Sequence, residues 1–193
     1  MSFKISVVVF GGGICPSSKN FFQDSTFTNN IHRSPRASKE VLDNLILRWN
    51  EISKRPYRAV TFQSYDRKGN IIYHTDCMMT LLNDHAVVCV TTIKDKKERK
   101  NLMLELSNPP QNNKPYKILE LDRNEIEGMC ANMFNLVDSE GRHTIIMSDR
   151  ARRTYDAEKF AELQENYKVL VANIDMIEHV GGGSTRCMLA EKF

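Results

Sequence analysis

Two short stretches of this sequence contain residue types that can carry out covalent chemistry. The first is His74-Thr75-Asp76, and the second is Cys187, which follows Arg186. A thiolate is a strong nucleophile, and an imidazole can take or give the proton during the attack. A carboxylate suits a cationic group of the substrate. Together the residue types favour nucleophilic attack on a positively charged substrate, although sequence separation does not say how close they lie in space.

The surroundings of Cys187 allow two interpretations. A cationic neighbour and exposed backbone N–H groups lower the pKa of a thiol and favour the reactive thiolate. Three consecutive glycines, Gly181–Gly183, give the backbone before it conformations that a Cβ would forbid. The alternative is a glycine loop before a last buried strand, Arg186–Glu191, with Cys187 as a small core residue. Free cysteine is among the most buried residue types, so the tail alone leaves both open.

The pair His74 and Asp76 lies in a stretch, Asn70–Leu82, that is predicted to be extended. Residues i and i+2 of a strand point to the same face, which would place the imidazole and the carboxylate side by side. The alternative is a surface strand with two polar residues in water. The flanking Tyr73 and Cys77 make a wholly solvated strand less favoured.

Hydrophobic periodicity predicts a mixed α and β chain around these residues. The order strand–strand–helix–strand recurs about every 55 to 65 residues, a candidate structural repeat without visible sequence similarity. Helices are predicted at 38–53, 95–106, 123–136 and from Ser148 or Asp149 to about 166, and strands at 58–65, 86–93, 116–121, 143–147, 168–172 and 186–191.

Composition narrows the class of protein. The 193 residues are 41% hydrophobic and 26% charged, which is ordinary for a soluble globular protein with one core or two small ones. The formal charge of +3 is too small to indicate a nucleic-acid partner. No apolar run approaches the roughly 20 residues that a membrane helix needs. The five cysteines lack disulfide or zinc spacing, which favours a reducing compartment, and we expect a cytoplasmic protein.

A family resemblance is carried by Ile72–Met79 (IYHTDCMM) and Gly181–Glu191 (GGGSTRCMLAE). Both resemble the amidinotransferase-like guanidino-modifying superfamily, which includes arginine deiminases, dimethylarginine hydrolases, glycine amidinotransferases and the citrulline-utilisation hydrolase type. The motifs are most similar to the last type. Met129–Phe134 and Ile145–Ser148 also resemble family blocks. The resemblance covers about residues 35 to 193.

The resemblance implies a role for each site residue. Cys187 corresponds to the nucleophile that attacks a guanidinium carbon and forms a covalent thiouronium. His74 corresponds to the acid/base that protonates the leaving amine and then activates water or an acceptor amine. Asp76 corresponds to a carboxylate that holds the guanidinium nitrogens of an arginine-like small molecule. Asn132 matches a recurrent family position without an assigned role. No metal or organic cofactor is implied.

The resemblance also implies an α/β fold, a pentein-type propeller of five ββαβ units. The chain has room for about three of the five, so we expect a partial α/β propeller. Residues 1–35 are predicted to be a divergent or unstructured leader, and residues 36–193 an incomplete propeller domain. An incomplete ring leaves strand edges unpaired, which predicts self-association.

Two functions therefore stay open. The first is a cysteine-dependent hydrolase or amidinotransferase that acts on the guanidinium group of an arginine-like substrate. The second is a truncated, non-catalytic member that acts as a binding or interaction module or is an inactive fragment. The second is suggested because the family's N-terminal half supplies another carboxylate. In residues 1–35, Asp24 is the only carboxylate, and nothing around it resembles the family motif.

Overall fold

The computed structural model describes residues 10–11, 13–14, 29–32, 39–53, 59–108 and 114–189. Its strands are β1 (Phe10–Gly11), β2 (Gly13–Ile14), β3 (Asn29–His32), β4 (Ala59–Phe62), β5 (Met79–Leu81), β6 (His85–Val88), β7 (Lys117–Glu120), β8 (Phe134–Val137), β9 (His143–Ser148) and β10 (Lys168–Ala172). Its helices are α1 (Lys39–Ser53), α2 (Lys96–Ser107), α3 (Arg123–Glu127), α4 (Asp149–Thr154), α5 (Ala157–Asn166), α6 (Asp175–Gly181) and α7 (Thr185–Met188). The chain is thus of the mixed α/β class, as predicted.

The first of two similar units, unit A, comprises β5, β6, α2 and β7. Strand β5 pairs antiparallel with β6, and β7 pairs with β6 in parallel after the crossover through α2. Helix α2 begins where the Asp95 carboxylate accepts the backbone N–H groups of Lys97 and Glu98, at 2.7 and 3.0 Å. The apolar side of α2 is buried, with Leu102 and Leu106 fully inaccessible, as the periodicity predicted.

The second unit, unit B, repeats this topology with β8, β9, α4, α5 and β10. Strand β8 pairs antiparallel with β9, and β10 pairs with β9 in parallel. The hydroxyl of Ser148 accepts the Ala151 N–H and starts α4, and Asp156 starts α5 in the same way. One long helix was predicted here, but the extended backbone at Tyr155 and Asp156 divides it. The strand–strand–helix–strand order is therefore present twice in the described residues.

An earlier part of the chain supplies a further parallel pair. Strands β3 and β4 pair in parallel on either side of α1, while β1 and β2 form a short antiparallel pair. This arrangement matches the last three elements of a unit. Most of the predicted leader 1–35, including Asp24, lies outside the described residues, and the predicted domain boundary stays a prediction.

Two apolar clusters cover opposite faces of the unit A sheet. Successive residues of a strand point to opposite faces, and β6 follows this rule. Val88 lies in the cluster shared with α2 and β4, whereas Val87 lies in the cluster shared with unit B. Leu119 of β7 belongs to the second cluster together with Ile145 and Met147 of β9. Unit B therefore packs directly onto unit A.

Four predicted elements differ from the structure, some through local turns and some through contacts with distant parts of the chain. Residues Thr75–Cys77 form a 3₁₀ turn instead of extended chain. The helix predicted to 136 ends at Glu127, because Gly128 packs against Thr154 and Met129 takes a left-handed conformation at φ 66°. The last predicted strand is helical turn α7 up to Met188. The strand predicted to Ile93 also ends early, at Val88, and a 3₁₀ turn follows.

The helices of the described residues do not include one that is both long enough and apolar enough to cross a bilayer.

Candidate functional site

The candidate site is assembled from three connections that occupy corresponding places in the fold. His74 and Asp76 lie just before β5, Asn132 lies just before β8, and Cys187 lies in α7 after β10. Cys187 is 55 residues from Asn132 and 111 residues from Asp76 along the chain. Each connection thus delivers its residues to one place because the units repeat.

The structure brings together the residues that the sequence singled out. The Cys187 thiol donates to the Asp76 carboxylate at 3.5 Å, and the Nδ1 atom of His74 lies 3.6 Å from the other Asp76 oxygen. One ring nitrogen, one carboxylate oxygen and the sulfur all lie within 4.8 Å of one another. The 3₁₀ turn achieves the side-by-side placement that a strand was predicted to give. The catalytic and binding roles of these residues stay predictions, as does the expectation that no metal or cofactor is needed.

The Nε2 atom of His74 takes no part in positioning the ring. His74 precedes the 3₁₀ turn in an extended conformation, and its ring contacts that of Tyr73 with centroids 4.7 Å apart. The Nε2 atom is buried and has no hydrogen-bond partner among the described residues. A buried polar atom without a partner raises the free energy of the folded state. Such atoms are uncommon and call for a functional or solvent explanation.

Cys187 is an exposed residue whose sulfur is partly desolvated, so the interpretation as a core residue is wrong. Desolvation of the sulfur raises its pKa, the Asp76 charge raises it further, and the hydrogen bond from Asn132 opposes both. The expected lowering of the pKa next to Arg186 is also wrong. The Arg186 guanidinium is buried and lies 5.0 Å from the centre of the Phe134 ring. In the free protein the thiol form is therefore favoured.

The glycines before Cys187 have separate uses. Gly182 ends α6 in the left-handed region at φ 70°, and its N–H donates to the carbonyl of Glu178 at 2.9 Å. A Cβ on Gly183 would lie 2.9 Å from the Cys187 Cβ and 3.1 Å from its sulfur. A larger residue at 183 would therefore displace the thiol.

Three buried side chains to which the sequence gave no role fix the loop that carries Cys187. The Ser184 hydroxyl donates to the Glu178 carboxylate at 2.5 Å, and both side chains are almost inaccessible. The Thr185 hydroxyl donates to the carbonyls of Asn132 at 2.7 Å and Ile146 at 3.1 Å. The signal in the sequence is a carboxylate on the last helical turn before the glycines.

Asn132 is the site residue whose role the sequence left open. Its Nδ2 group donates to the Cys187 sulfur at 3.2 Å, and its Oδ1 atom accepts the Arg186 backbone N–H at 2.9 Å. The side chain is 1% exposed. The family resemblance had named Asn132 without a role, and its place before β8 corresponds to that of Asp76 before β5.

Comparison with known proteins identifies the family of this chain. The model of the family described as N,N dimethylarginine dimethylhydrolase, eukaryotic, matches residues 15–193. This chain belongs to that family. The predicted membership of the guanidino-modifying superfamily is thereby confirmed. The family model is of the dimethylarginine type, whereas the motifs were most similar to the citrulline-utilisation type.

One solved structure has a similar fold, and a second resembles this chain more weakly. ArgZ, an arginine dihydrolase of the ornithine-ammonia cycle in cyanobacteria, matches with a TM-score of 0.58 and 14% identity, over 84% of this chain. A putative peptidyl-arginine deiminase matches with a TM-score of 0.40 and 14% identity, over 82% of this chain. The chain spans 22% of the first structure's length and 50% of the second's. No curated protein matches the sequence significantly.

Proposed function

We propose that this protein modifies the guanidinium group of an arginine-like small molecule through a covalent intermediate on Cys187. The observation that supports this most directly is the contact of the Cys187 sulfur with Asp76, with His74 on the same carboxylate. This arrangement provides an electron-rich sulfur and an anion for a cationic group beside one another. An imidazole lies within reach of both.

Because the free protein favours the neutral thiol, the first step of the proposed reaction is ionisation of Cys187 when the substrate binds. Asp76 would accept hydrogen bonds from the guanidinium N–H groups, a charge-assisted contact. The bound cation would neutralise the carboxylate that now raises the pKa of Cys187. A neighbouring positive charge favours the thiolate, so substrate binding itself would promote ionisation of the nucleophile.

The chemical steps then follow in two stages. The Cys187 thiol passes its proton to His74, and the resulting thiolate attacks the guanidinium carbon. The carbon–nitrogen bond to the leaving amine then breaks as His74 gives that proton to the leaving nitrogen. A thiouronium remains on Cys187. His74 next takes one proton from water, and the oxygen attacks the thiouronium carbon. The carbon–sulfur bond breaks, the second proton of the water restores the Cys187 thiol, and the product carries a carbon–oxygen bond. An amine in place of water would give amidino transfer.

A second candidate is a non-catalytic member that binds guanidino compounds or another protein. It is favoured by the surroundings of the sulfur: partial burial, and the Asp76 carboxylate at 3.5 Å, raise the pKa of the Cys187 thiol and leave little thiolate without a substrate. The fold proposal is common to both candidates: units A and B and the β3–α1–β4 segment correspond to about three of five propeller units. The cytoplasmic location and the lack of a nucleic-acid or membrane partner stay predictions.

The deciding experiment incubates purified protein with arginine, agmatine and methylated arginines, and measures citrulline or ureido product. Intact-protein mass spectrometry would follow the covalent adduct. We expect product and an adduct on Cys187 with at least one substrate, and neither with Cys187→Ser. A folded protein that binds a guanidino compound but forms no adduct would support the second candidate.

A further inference from the structure

We infer that Asn132 is a catalytic hydrogen-bond donor to the Cys187 thiolate, held in its donating orientation by the backbone N–H of Arg186. The inference rests on the proposed role of Cys187 as the nucleophile. It assigns a chemical function to a residue in the connection before β8, the one connection for which the motifs give no role.

The orientation of the Asn132 amide follows from its second partner. The oxygen of a side-chain amide only accepts hydrogen bonds and its NH₂ group donates them, so the partners fix which way the amide faces. A backbone N–H can only donate, and the Arg186 nitrogen lies 2.9 Å from Oδ1. That atom must therefore be the oxygen. The NH₂ group is left facing the Cys187 sulfur at 3.2 Å.

Asn132 is rigidly placed for this contact. Its own N–H donates at 2.9 Å to the carbonyl of Met129, the left-handed residue that follows α3. Its carbonyl accepts the Thr185 hydroxyl at 2.7 Å. The tail that carries the nucleophile is thus bound to Asn132 at three successive residues: Thr185, Arg186 and Cys187. Donors that are fixed before the reaction need no reorganisation as charge develops.

The two neighbours of the sulfur act in opposite directions. Asp76 accepts the S–H bond and carries a negative charge, so it favours the neutral thiol. The Asn132 amide donates to the sulfur and favours the anion. When a cationic substrate compensates Asp76, the donation from Asn132 persists. Asn132 would therefore stabilise the thiolate during attack and again when the sulfur leaves the thiouronium.

The test is the pH dependence of Cys187 alkylation by neutral iodoacetamide, with the labelled residue identified by mass spectrometry. Asn132→Ala removes the donor, and Asn132→Asp keeps the acceptor for Arg186 but places an oxygen against the sulfur. Hydrogen bonds to charged groups are strong enough to shift the midpoint upward by about one pH unit in Asn132→Ala. A larger shift is expected in Asn132→Asp.

Controls separate this effect from unfolding. Cys89 and Cys130 are fully buried, and their failure to react marks protein that remains folded. Asn135→Asp makes the same chemical change at another buried asparagine, inside β8, and should leave the midpoint near that of the wild type. Midpoints of both Asn132 variants that match the wild type would overturn the inference.

A second measurement uses the wild-type protein and covers the case in which both variants unfold. The side-chain ¹⁵N resonance of Asn132 should shift as Cys187 ionises, and alkylation of Cys187 should abolish that titration. An invariant resonance would also overturn the inference. Both readouts need no substrate, so an Asn132-dependent titration without guanidine turnover would reject the proposed function alone. Turnover without that dependence would reject the inference alone.

Discussion

Leu119 and Leu170 occupy corresponding places in the two units. Each lies on the third strand, with Leu119 in register with Val87 of β6 and Leu170 in register with Ile146 of β9. Leu119 is 5% exposed and Leu170 is 43% exposed. Unit B covers the strand of unit A, whereas no described element covers β10 in the same way. A unit of this fold therefore obtains part of its core from the unit that follows it, as in repeat proteins.

The largest expected difference is between Leu119→Ala and Leu170→Ala. Removing the buried side chain should lower the free energy of unfolding by about 2 to 4 kcal/mol, from lost burial and a residual cavity. Removing the half-exposed one should lower it by less than about 1 kcal/mol, since few contacts are lost. Urea unfolding of both variants measures the two losses in free energy of unfolding. Equal losses would contradict the conclusion that unit B supplies part of the core of unit A.

Two glycines extend the comparison to the connections after each unit. A Cβ on Gly128 would lie 2.4 Å from the Thr154 side chain, so Gly128→Ala should lower the free energy of unfolding by about 1 to 3 kcal/mol. Gly181 has no atom within 4 Å of the same position. Gly181→Ala should raise that free energy by a few tenths of a kcal/mol, through reduced entropy of the unfolded chain.

A double variant tests the proposed cause at Gly128. Thr154→Ala removes the Oγ1 and Cγ2 atoms, which lie 2.4 Å from the new Cβ, but keeps the Thr154 Cβ at 2.5 Å. It should therefore restore only part of the stability lost in Gly128→Ala. Additive losses in the urea midpoints would show that the contacts with Oγ1 and Cγ2 do not set the cost.

The smallest expected change in stability is for a substitution on the exposed surface of β10 and α6. This surface is where the predicted self-association would take place. Leu170 and Val171 of β10 and Met176, Ile177 and Val180 of α6 are all exposed. Leu170→Lys should leave the free energy of unfolding within about 0.5 kcal/mol of the wild type. It should shift sedimentation toward monomer if copies associate through this edge, because a charged edge opposes strand pairing. Unchanged association would place the contact elsewhere.

Patterns that depend on neighbouring residues were predictable from the sequence. The period of α2 and the strands β9 and β10 follow from local apolar spacing. The motif residues His74, Asp76 and Cys187 were also identified, and the structure brings them together. Each of these signals lies within a few residues of the chain.

The features that were missed depend on contacts across the chain. The tail forms a helical turn because Asn132 accepts the Arg186 N–H, and no pattern near Arg186 contains that partner. Arg186 was expected to lower the pKa of the thiol, but its side chain packs on Phe134 of β8, which is distant in sequence. The chain turns at Met129 with a positive φ, which a methionine does not predict.

The 111 residues between Asp76 and Cys187 also bear on the order of events in folding. Closing so long a loop is slow compared with forming either unit, whose contacts are more local. We expect the nucleophile to reach its carboxylate only after units A and B have formed and docked. The reactive sulfur would then be among the last groups to acquire its native surroundings, and its chemical reactivity would report completion of the fold.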